Sequence, residues 1–281
     1  MAPLRRRPVK WHAPAVSFTL TMPVRNGSGK LAVMLKTLFD RRDYWPEILV
    51  MDDASSEPEW AALQQLAERY PITLLRSDTQ LGIGGARAAL YDAARGEFII
   101  SLDGDLDFGK TDPHWPELLV RLWDERGRGI MTPLLLAPSR DWIWSAGAYA
   151  SRETAGSFRH RFAGQHEAAP GVASPAEVCT AAGAFHFFAA RLLDRVRVDS
   201  GYFPAWYEDS DLCYQARALG LPVCYCPEVR VVHDAGSWTT SSECAQVSRV
   251  GACRARFMER WQDLWENDIR RQDETGALRR E

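Results

Sequence analysis

The sequence predicts an α/β protein with a mostly parallel central sheet flanked by helices. Strand-like and helix-like segments alternate at short intervals through the first half of the chain, and this alternation predicts parallel strands joined by helical crossovers. Three of the strand-like segments end on polar or acidic residues. The 281 residues are 46% hydrophobic and 25% charged, which is a globular composition with enough length for a large core.

The first half of the chain contains four strand-like segments, rich in β-branched and aromatic residues. They are residues 15–24, 47–53, 72–77 and 97–103. Helical segments separate them, at residues 30–40, 55–70 and 85–94. In the first helix Leu31, Met34, Leu35 and Leu38 recur with helical spacing. The order is therefore strand, helix, strand, helix, strand, helix, strand.

The second half of the chain is less regular. Residues 137–178 interleave Gly, Pro, Ser, Arg and His, and a segment of this kind predicts a functional loop such as an acceptor lid. Residues 183–193 predict a strand running into a helix, and residues 208–220 predict a helix that opens on carboxylates and closes on a glycine. Two short strands follow, and they are predicted at 223–227 and 229–233.

A long C-terminal helix is predicted from Ser241 to about Gln272. Its apolar residues lie near one face: Val247, Val250, Phe257, Trp261, Leu264 and Trp265. This face either packs back on the body of the protein or forms a homodimer or membrane-interface contact. We therefore expect the chain to consist of a flexible basic tail at 1–12, a main domain at 13–240 and a helical extension at 241–281. The main domain comprises a nucleotide-binding half (13–108) and an acceptor or catalytic half (109–240).

Charge and composition exclude some classes of protein. The formal net charge of −3 argues against a nucleic-acid surface, which leaves a basic footprint. The run Arg5–Arg7 is either a mobile tail or a contact with anionic lipid. No stretch is long enough to cross a bilayer, and the six cysteines have no zinc-site spacing and are expected to be reduced core thiols. A cytoplasmic protein is expected, with peripheral contact at the inner face of the membrane as the alternative.

Acidic residues collect where strands end. Asp103 and Asp105 follow the fourth strand, and His233 ends the last one. Because ligands bind outside the C-terminal ends of parallel strands, residues 23–26, Asp52 with Asp53, and Asp103 with Asp105 are expected to line one crevice. Asp105 and His233 would suit a metal ion. Carboxylates and imidazole suit a divalent cation. Each residue also has a structural explanation, since Asp is common in turns and at helix N-termini.

The glycine-rich segment 81–90 follows a strand and opens a helix, as a dinucleotide-binding fingerprint does. The spacing of Gly82, Gly84 and Gly85 departs from that fingerprint, and the segment follows the third strand instead of the first. An NAD-dependent Rossmann oxidoreductase is therefore retained only as an alternative.

Seven motifs in order make the chain resemble a family 2 glycosyltransferase with the GT-A fold over residues 16–238. They read VSFTLTMPVRN, EILVMDDASS, LGIGGARAAL, GEFIISLDGD, GAFHFF, WYEDSDLCYQARALG and VVHDAGS. The resemblance implies metal-dependent, inverting transfer of a hexosyl or deoxyhexosyl group from a nucleoside-diphosphate sugar, with UDP or dTDP favoured. The metal would be Mn²⁺ or Mg²⁺, and the acceptor a glycan, lipid-linked glycan, peptide or small molecule. A nucleotide-sugar-binding protein or nucleotidyltransferase is the alternative.

The resemblance also assigns roles to individual residues. Residues at the nucleotide would be Pro23, Asn26, Asp53, Arg87 and Asp103. Among them, Asp53 would accept a hydrogen bond from a uracil-like base, and Asp103 would hold the ribose or help the metal. Asp105 and His233 would ligate the metal, and Asp209 would be the general base on the acceptor hydroxyl. Residues in supporting or acceptor positions would be Trp206, Glu208, Asp211 and Trp238, with Asp211 more readily interpreted as a capping or paired residue.

Overall fold

A computed structural model describes residues 17–42, 45–139, 141–153, 155–234 and 247–275. Its strands are β1 (Phe18–Val24), β2 (Glu47–Asp53), β3 (Thr73–Ser77), β4 (Phe98–Leu102), β5 (Leu106–Asp107), β6 (Ile130–Leu136), β7 (Ile143–Ser145), β8 (Ala148–Ser151), β9 (Ser157–His160), β10 (Ala176–Glu177), β11 (Phe185–Ala189) and β12 (Val223–His233). Its α-helices are α1 (Ser28–Arg41), α2 (Glu57–Arg69), α3 (Gly82–Ala93), α4 (Trp115–Glu125), α5 (Glu208–Ala218) and α6 (Val247–Thr275).

One sheet runs through both halves of the chain in the order β10-β12-β6-β11-β4-β1-β2-β3, with β5 on β12 and β7 on β6. The strands β3, β2, β1 and β4 are all parallel, as the alternation of strands and helices predicts. Beyond β4 the sheet is mixed, because β11 runs antiparallel between β4 and β6. Strands β8 and β9 form a separate hairpin. The predicted α/β class is confirmed, and the antiparallel part lies in the second half.

Helices cover both faces of this sheet. One face buries residues of α1, α2 and α4, such as Leu35, Leu63 and Leu119. The other buries residues of α3 and α5, such as Leu90 and Leu212. Each fully buried side chain of this size contributes about 1.5–3 kcal/mol. This two-sided packing holds the strand ends in place, and the candidate site is built on them.

The second half differs from the sequence prediction in three places. Segment 137–178 is predicted to be irregular, yet it contains four short strands, β7 to β10. The two strands predicted at 223–227 and 229–233 are one strand, β12, with an irregularity between Cys226 and Arg230. Helix α4 and strand β6 were not predicted at all. The predicted glycine end of α5 does occur, because Gly220 has a φ of +77°.

The C-terminal helix α6 packs on the body of the same chain. Its buried residues Cys253, Phe257, Trp265 and Ile269 form a cluster with Tyr202, Tyr214 and Ala150. Packing on the body thus accounts for the apolar face of this helix, while residues 241–246 lie outside the described part of the chain. Within that part, the cysteines are free and buried, and no helix has the length and apolar character that a membrane span requires.

Candidate active site

Three potential metal ligands meet at the C-terminal edge of the sheet. Asp103 and Asp105 follow β4, and the short strand β5 pairs antiparallel with the end of β12. This pairing places His233 opposite Leu106, so that His233 Nε2 lies 3.2 Å from Asp105 Oδ1. One ligand atom from each of Asp103, Asp105 and His233 lies within 4.8 Å of the others.

The environment of His233 fits a divalent cation. The residue is only 4% exposed, and its buried Nδ1 has no hydrogen-bond partner among the described residues. The ring of Trp144 contacts the imidazole edge-on, with the centroids 4.3 Å apart. A buried polar atom without a partner is costly, and two carboxylates with an imidazole form a donor set that Mn²⁺ accepts.

Lys30, in the first turn of α1, borders this cluster. Its ammonium lies 3.6 Å from Asp105 Oδ2 and 3.2 Å from Asp234 Oδ2. It also donates to the main-chain carbonyl of Asp234, at 2.7 Å. The sequence did not single out Lys30, because a lone lysine in a helical segment carries no motif.

Arg87, on α3, lies beneath the cluster. It is 3% exposed and donates hydrogen bonds to Asp103 at 2.7 Å, Glu208 at 2.9 Å and the carbonyl of Gly183 at 2.7 Å. Burial opposes its charge, but the two carboxylates outweigh burial and raise the pKa of Arg87, so it stays protonated. The resemblance assigns Arg87 to the nucleotide, whereas its described partners are protein groups below the site.

Asp209 is held at the start of α5. Its carboxylate accepts hydrogen bonds from the backbone N–H groups of Gly183, at 2.8 Å, and Ser210, at 2.6 Å. Gly183 thus connects Asp209 to Arg87, and through Arg87 to Asp103. The two residues before α5, Trp206 and Tyr207, have φ angles of 78° and 73°, a strained conformation for bulky residues that is often found at functional sites.

Burial alters the proton affinity of the acids in this region. Burial and the neighbouring Asp209 raise the pKa of Glu208 to about 8, although Arg87 opposes the shift. Burial also raises the pKa of Asp103, again against the effect of Arg87. The guanidinium of Arg87 is therefore the group that favours the charged forms of both acids.

Three of the residues that the resemblance assigns to the nucleotide, Pro23, Asn26 and Asp53, lie at or near the ends of β1 and β2. Asp53 accepts hydrogen bonds from the N–H groups of Leu81, at 2.5 Å, and Gly82, at 3.0 Å. A base bound at Asp53 would share this carboxylate with the N-terminus of α3. Asn26 is exposed and its side-chain oxygen accepts from Ser56 N–H at 2.9 Å, while Pro23 is buried in β1.

Asp211 is held by the loop before α5, by α5 itself and by α6, as its hydrogen bonds show. Asp211 is fully buried and accepts hydrogen bonds from Tyr202 Oη at 3.1 Å and from Trp261 Nε1 at 2.6 Å. Its described partners thus include α6, which matches the interpretation as a paired residue. Trp206 is half-buried beside α5. Trp238 lies outside the described residues.

Two histidines near the site had no place in the sequence prediction. His160 Nδ1 lies 2.9 Å from Ser145 Oγ, and its ring is 5.0 Å from that of Trp144. Burial, with a contribution from His233, lowers the pKa of His160. His186 is buried next to Arg87, and burial lowers its pKa to about 4. His186 lies within the motif GAFHFF, which could have drawn attention to it, whereas His160 lies in the segment predicted to be irregular.

The sheet is parallel from β3 to β4, two carboxylates follow β4, and a histidine ends β12. Solved structures share this fold. The chain matches GalNAc-T7 with UDP, GalNAc and Mn²⁺ at a TM-score of 0.71 and 18% identity, over 89% of this chain and 50% of that one. It matches mannosyltransferase PcManGT from Pyrobaculum calidifontis, in complex with GDP-Man and Mn²⁺, at a TM-score of 0.55 and 17% identity. The match covers 79% of this chain and 58% of that one. At these identities the likeness shows the fold.

Sequence comparison gives the family. The family model for glycosyl transferase family 2 matches residues 19–178, more than half of the chain, and the chain belongs to this family. It is 30% identical over 98 residues to the amylovoran biosynthesis glycosyltransferase AmsB of Erwinia amylovora, covering 34% of this chain and 33% of that protein. It is also 30% identical over 76 residues to a dolichol-phosphate mannosyltransferase of Pyrococcus furiosus, covering 27% of this chain and 20% of that protein. The match thus spans a third or less of either curated relative.

Proposed function

We propose that this chain transfers a sugar from a nucleoside-diphosphate sugar to an acceptor hydroxyl, with a divalent metal and with inversion at the anomeric carbon. The observation that carries the proposal is the meeting of Asp103, Asp105 and His233 at one edge of the sheet, linked through Arg87 and Gly183 to Asp209. Similar folds bound to UDP with Mn²⁺ and to GDP-Man with Mn²⁺ support it.

Asp105 and His233, with help from Asp103, would hold Mn²⁺ or Mg²⁺. Once bound there, the cation would supply positive charge to the diphosphate leaving group as negative charge develops on it. The protein's own part is to keep these ligands together. The pairing of β5 with β12 does this for His233, and Arg87 does it for Asp103.

Asp209 would take the proton of the acceptor hydroxyl. The two backbone N–H groups that bond to its carboxylate hold it in one orientation. A positioned base of this kind contributes about 10²–10⁴ to the rate. If the hydroxyl attacks directly and in line with the departing diphosphate, the product has the opposite anomeric configuration to the donor.

Asp53 would accept the N3–H of the base, which favours UDP or dTDP as the nucleotide. One acceptor oxygen does not distinguish uracil from thymine. Because Leu81 and Gly82 already donate to this carboxylate, the base would approach the lone pairs that remain.

The first test is a thermal-shift panel of UDP, dTDP, GDP and NAD, each with and without Mn²⁺. We expect UDP or dTDP to raise the melting temperature only when Mn²⁺ is present, because the proposed site binds the diphosphate through the cation. A ligand at 100 times its Kd adds about 2.7 kcal/mol of stability, which is enough to detect. Stabilisation by NAD without metal would contradict the proposal and favour an oxidoreductase.

The second test is product stereochemistry. Proton NMR of the product formed from an α-linked donor is expected to show a β-linked sugar. A product with the donor's configuration would exclude single displacement, even if the metal and nucleotide bind as expected.

A further inference from the structure

Trp142 is an exposed aromatic side chain on a rigid backbone. Among the described residues, three large hydrophobic side chains are exposed, Val33, Trp142 and Phe203, and Trp142 is 50% exposed. Exposure of this much indole surface has a cost in water. A scattered exposed hydrophobic residue is normal in itself, so its surroundings decide what it means.

Backbone hydrogen bonds hold Trp142 on both sides. Its carbonyl accepts from Ala137 N–H at 2.8 Å, and it forms an antiparallel bridge with His166. On either side of this bridge, Glu167 N–H donates to the Asp141 carbonyl and Ile143 N–H donates to the Gln165 carbonyl, each at 2.8 Å. The indole is therefore presented by an ordered ladder.

Trp142 lies on the same strand face as the aromatic residue that contacts the candidate metal site. The pairing of β7 with β6 is irregular at Trp144, but packing still assigns the faces: Trp144 packs against the cluster of α1, α2 and α4, and Ile143 lies in the cluster of α3 and α5. Trp142, the residue before Ile143, then projects from the same face as Trp144. Trp144 contacts the His233 ring. Two residues of strand span about 7 Å. Val232 pairs with Leu136, and Ala137, the next residue, donates to the Trp142 carbonyl. Trp142 is therefore level with His233 and two strands away from it, about 10 Å.

The neighbours of Trp142 are polar. The His166 ring packs edge-on against the indole, with the centroids 6.2 Å apart, and both His166 and Asp141 are exposed. Glu167, next in the chain, is paired with Arg230 at 2.8 Å. Lipid or protein partners favour a wide apolar patch, but in the described ranges the other large exposed hydrophobic residues lie on α1 and in the loop before α5. A single aromatic face bordered by hydrogen-bonding groups suits a sugar, which has a small C–H face and a rim of hydroxyls.

We propose that Trp142 is the stacking platform of a second acceptor subsite, and that the acceptor is a saccharide of at least two units. The reacting unit lies beside Trp144 near His233, and the next unit stacks on Trp142. This inference rests on the proposed function, since it assumes that the acceptor binds next to the metal site.

Binding of defined saccharides to protein labelled with 5-fluorotryptophan tests the proposal. The probes are methyl α-mannoside, methyl β-glucoside and methyl β-galactoside, with mannobiose, cellobiose and lactose as the matching disaccharides. Fluorine NMR is recorded in the presence of UDP and Mn²⁺, and the Trp142 resonance is assigned from its loss in Trp142→Phe. We expect one disaccharide to shift this resonance and to bind about tenfold more tightly than its monosaccharide, a difference of 1.4 kcal/mol.

Three variants sharpen the test. Trp142→Ala is expected to remove the tenfold preference for the disaccharide, Trp142→Phe to retain most of it, and Val33→Ala, an exposed residue on α1, to leave it unchanged. Melting temperatures of all three show that the fold is intact. If no disaccharide is preferred, or if Trp142→Ala keeps the preference, the second subsite does not exist.

Failure of this proposal is distinguishable from failure of the proposed function. Stabilisation by UDP with Mn²⁺ and no preference for disaccharides would remove the subsite and leave the transferase intact. A lack of nucleotide binding would instead count against the transferase itself.

Discussion

Asp209 is a carboxylate whose position depends on two main-chain donors. The N–H groups of Gly183 and Ser210 each bond to a different oxygen of Asp209. At the scale of single residues, these two contacts fix the orientation of the carboxylate that we propose as the general base. The carbonyl of Gly183 accepts a hydrogen bond from Arg87, so Asp209 and Asp103 are held through shared contacts.

Asp209→Asn is expected to abolish transfer while nucleotide binding survives. The amide cannot take a proton at neutral pH, so the rate should fall by about 10²–10⁴. The measurement is turnover with donor and acceptor, together with the affinity for UDP and Mn²⁺ by calorimetry. Asp124→Asn, an exposed residue on α4, is the control. Transfer at the wild-type rate in Asp209→Asn would remove Asp209 from the mechanism.

Lys30→Gln is expected to tighten the binding of Mn²⁺ in the absence of nucleotide. The ammonium lies 3.6 Å from Asp105 Oδ2 and repels a cation bound there. With charges this close and an effective dielectric constant of about 20, a gain of at least about tenfold is reasonable. Mn²⁺ affinity is measured by electron paramagnetic resonance. Lys36→Gln, which removes a lysine paired with Asp40 on the same helix, is the control. Weaker Mn²⁺ binding in Lys30→Gln would mean that Lys30 organises the site.

The sequence predicts some site residues and has no signal for others. Asp103, Asp105 and His233 end strands, and the rule that strand ends share one edge is enough to group them. Lys30 and His160 lie near the site because segments that are distant in the sequence pack together there. Their positions depend on where α1 and β9 dock, and no local pattern encodes that.

At the scale of elements, the junction of α3, β11 and α5 depends on the absence of a side chain at Gly183. A Cβ placed there would lie 2.4 Å from Arg87 Nη1. Arg87 is fully enclosed and bonded to two carboxylates, so it has little freedom to move. The glycine is therefore needed for the close approach of the loop before β11 to α3.

Gly183→Ala is expected to lower the free energy of unfolding by about 1–3 kcal/mol, the usual cost of overpacking. It should also weaken Mn²⁺ binding, because displacing Arg87 disturbs Asp103. Gly251→Ala, in α6 with open space around it, is the matched control and should gain about 0.5–1 kcal/mol. Both values come from urea unfolding. A Gly183→Ala protein as stable as the wild type would show that Arg87 can shift without cost.

The elements of the first half could be predicted because strands and helices there are long and strongly periodic. In segment 137–178 the strands have two to four residues, too few for a period of two to be recognised. Strand β12 was divided in two because Pro227 and Glu228 interrupt its apolar pattern. The structure accommodates that interruption as an irregularity opposite β6.

At the scale of the whole molecule, α6 is joined to α5 by a buried polar cluster. Asp268 is 3% exposed, accepts a hydrogen bond from Tyr214 Oη at 2.6 Å and pairs with Arg217. The apolar face of α6 predicted that the helix would pack against the body of the protein, a second copy or a membrane. The acidic partner for Arg217 could not be predicted, since the two residues are 51 positions apart.

Asp268→Ala is expected to destabilise the protein by about 3–5 kcal/mol, because Arg217 would be left buried without its carboxylate. Urea unfolding measures the change. Asp263→Ala, an exposed residue of the same helix, should alter stability by less than about 0.5 kcal/mol. A loss below about 1 kcal/mol for Asp268→Ala would indicate that α6 docks through its apolar contacts alone.

The guanidinium of Arg87 touches Asp103, which follows β4, and Glu208, which opens α5. A hybrid enzyme that joins residues 1–108 of this chain to the remainder of a relative would therefore inherit a mismatched charge wherever the relative lacks an acid at position 208. Exchanging these two parts of the chain within the family has to carry this arginine and both acids together.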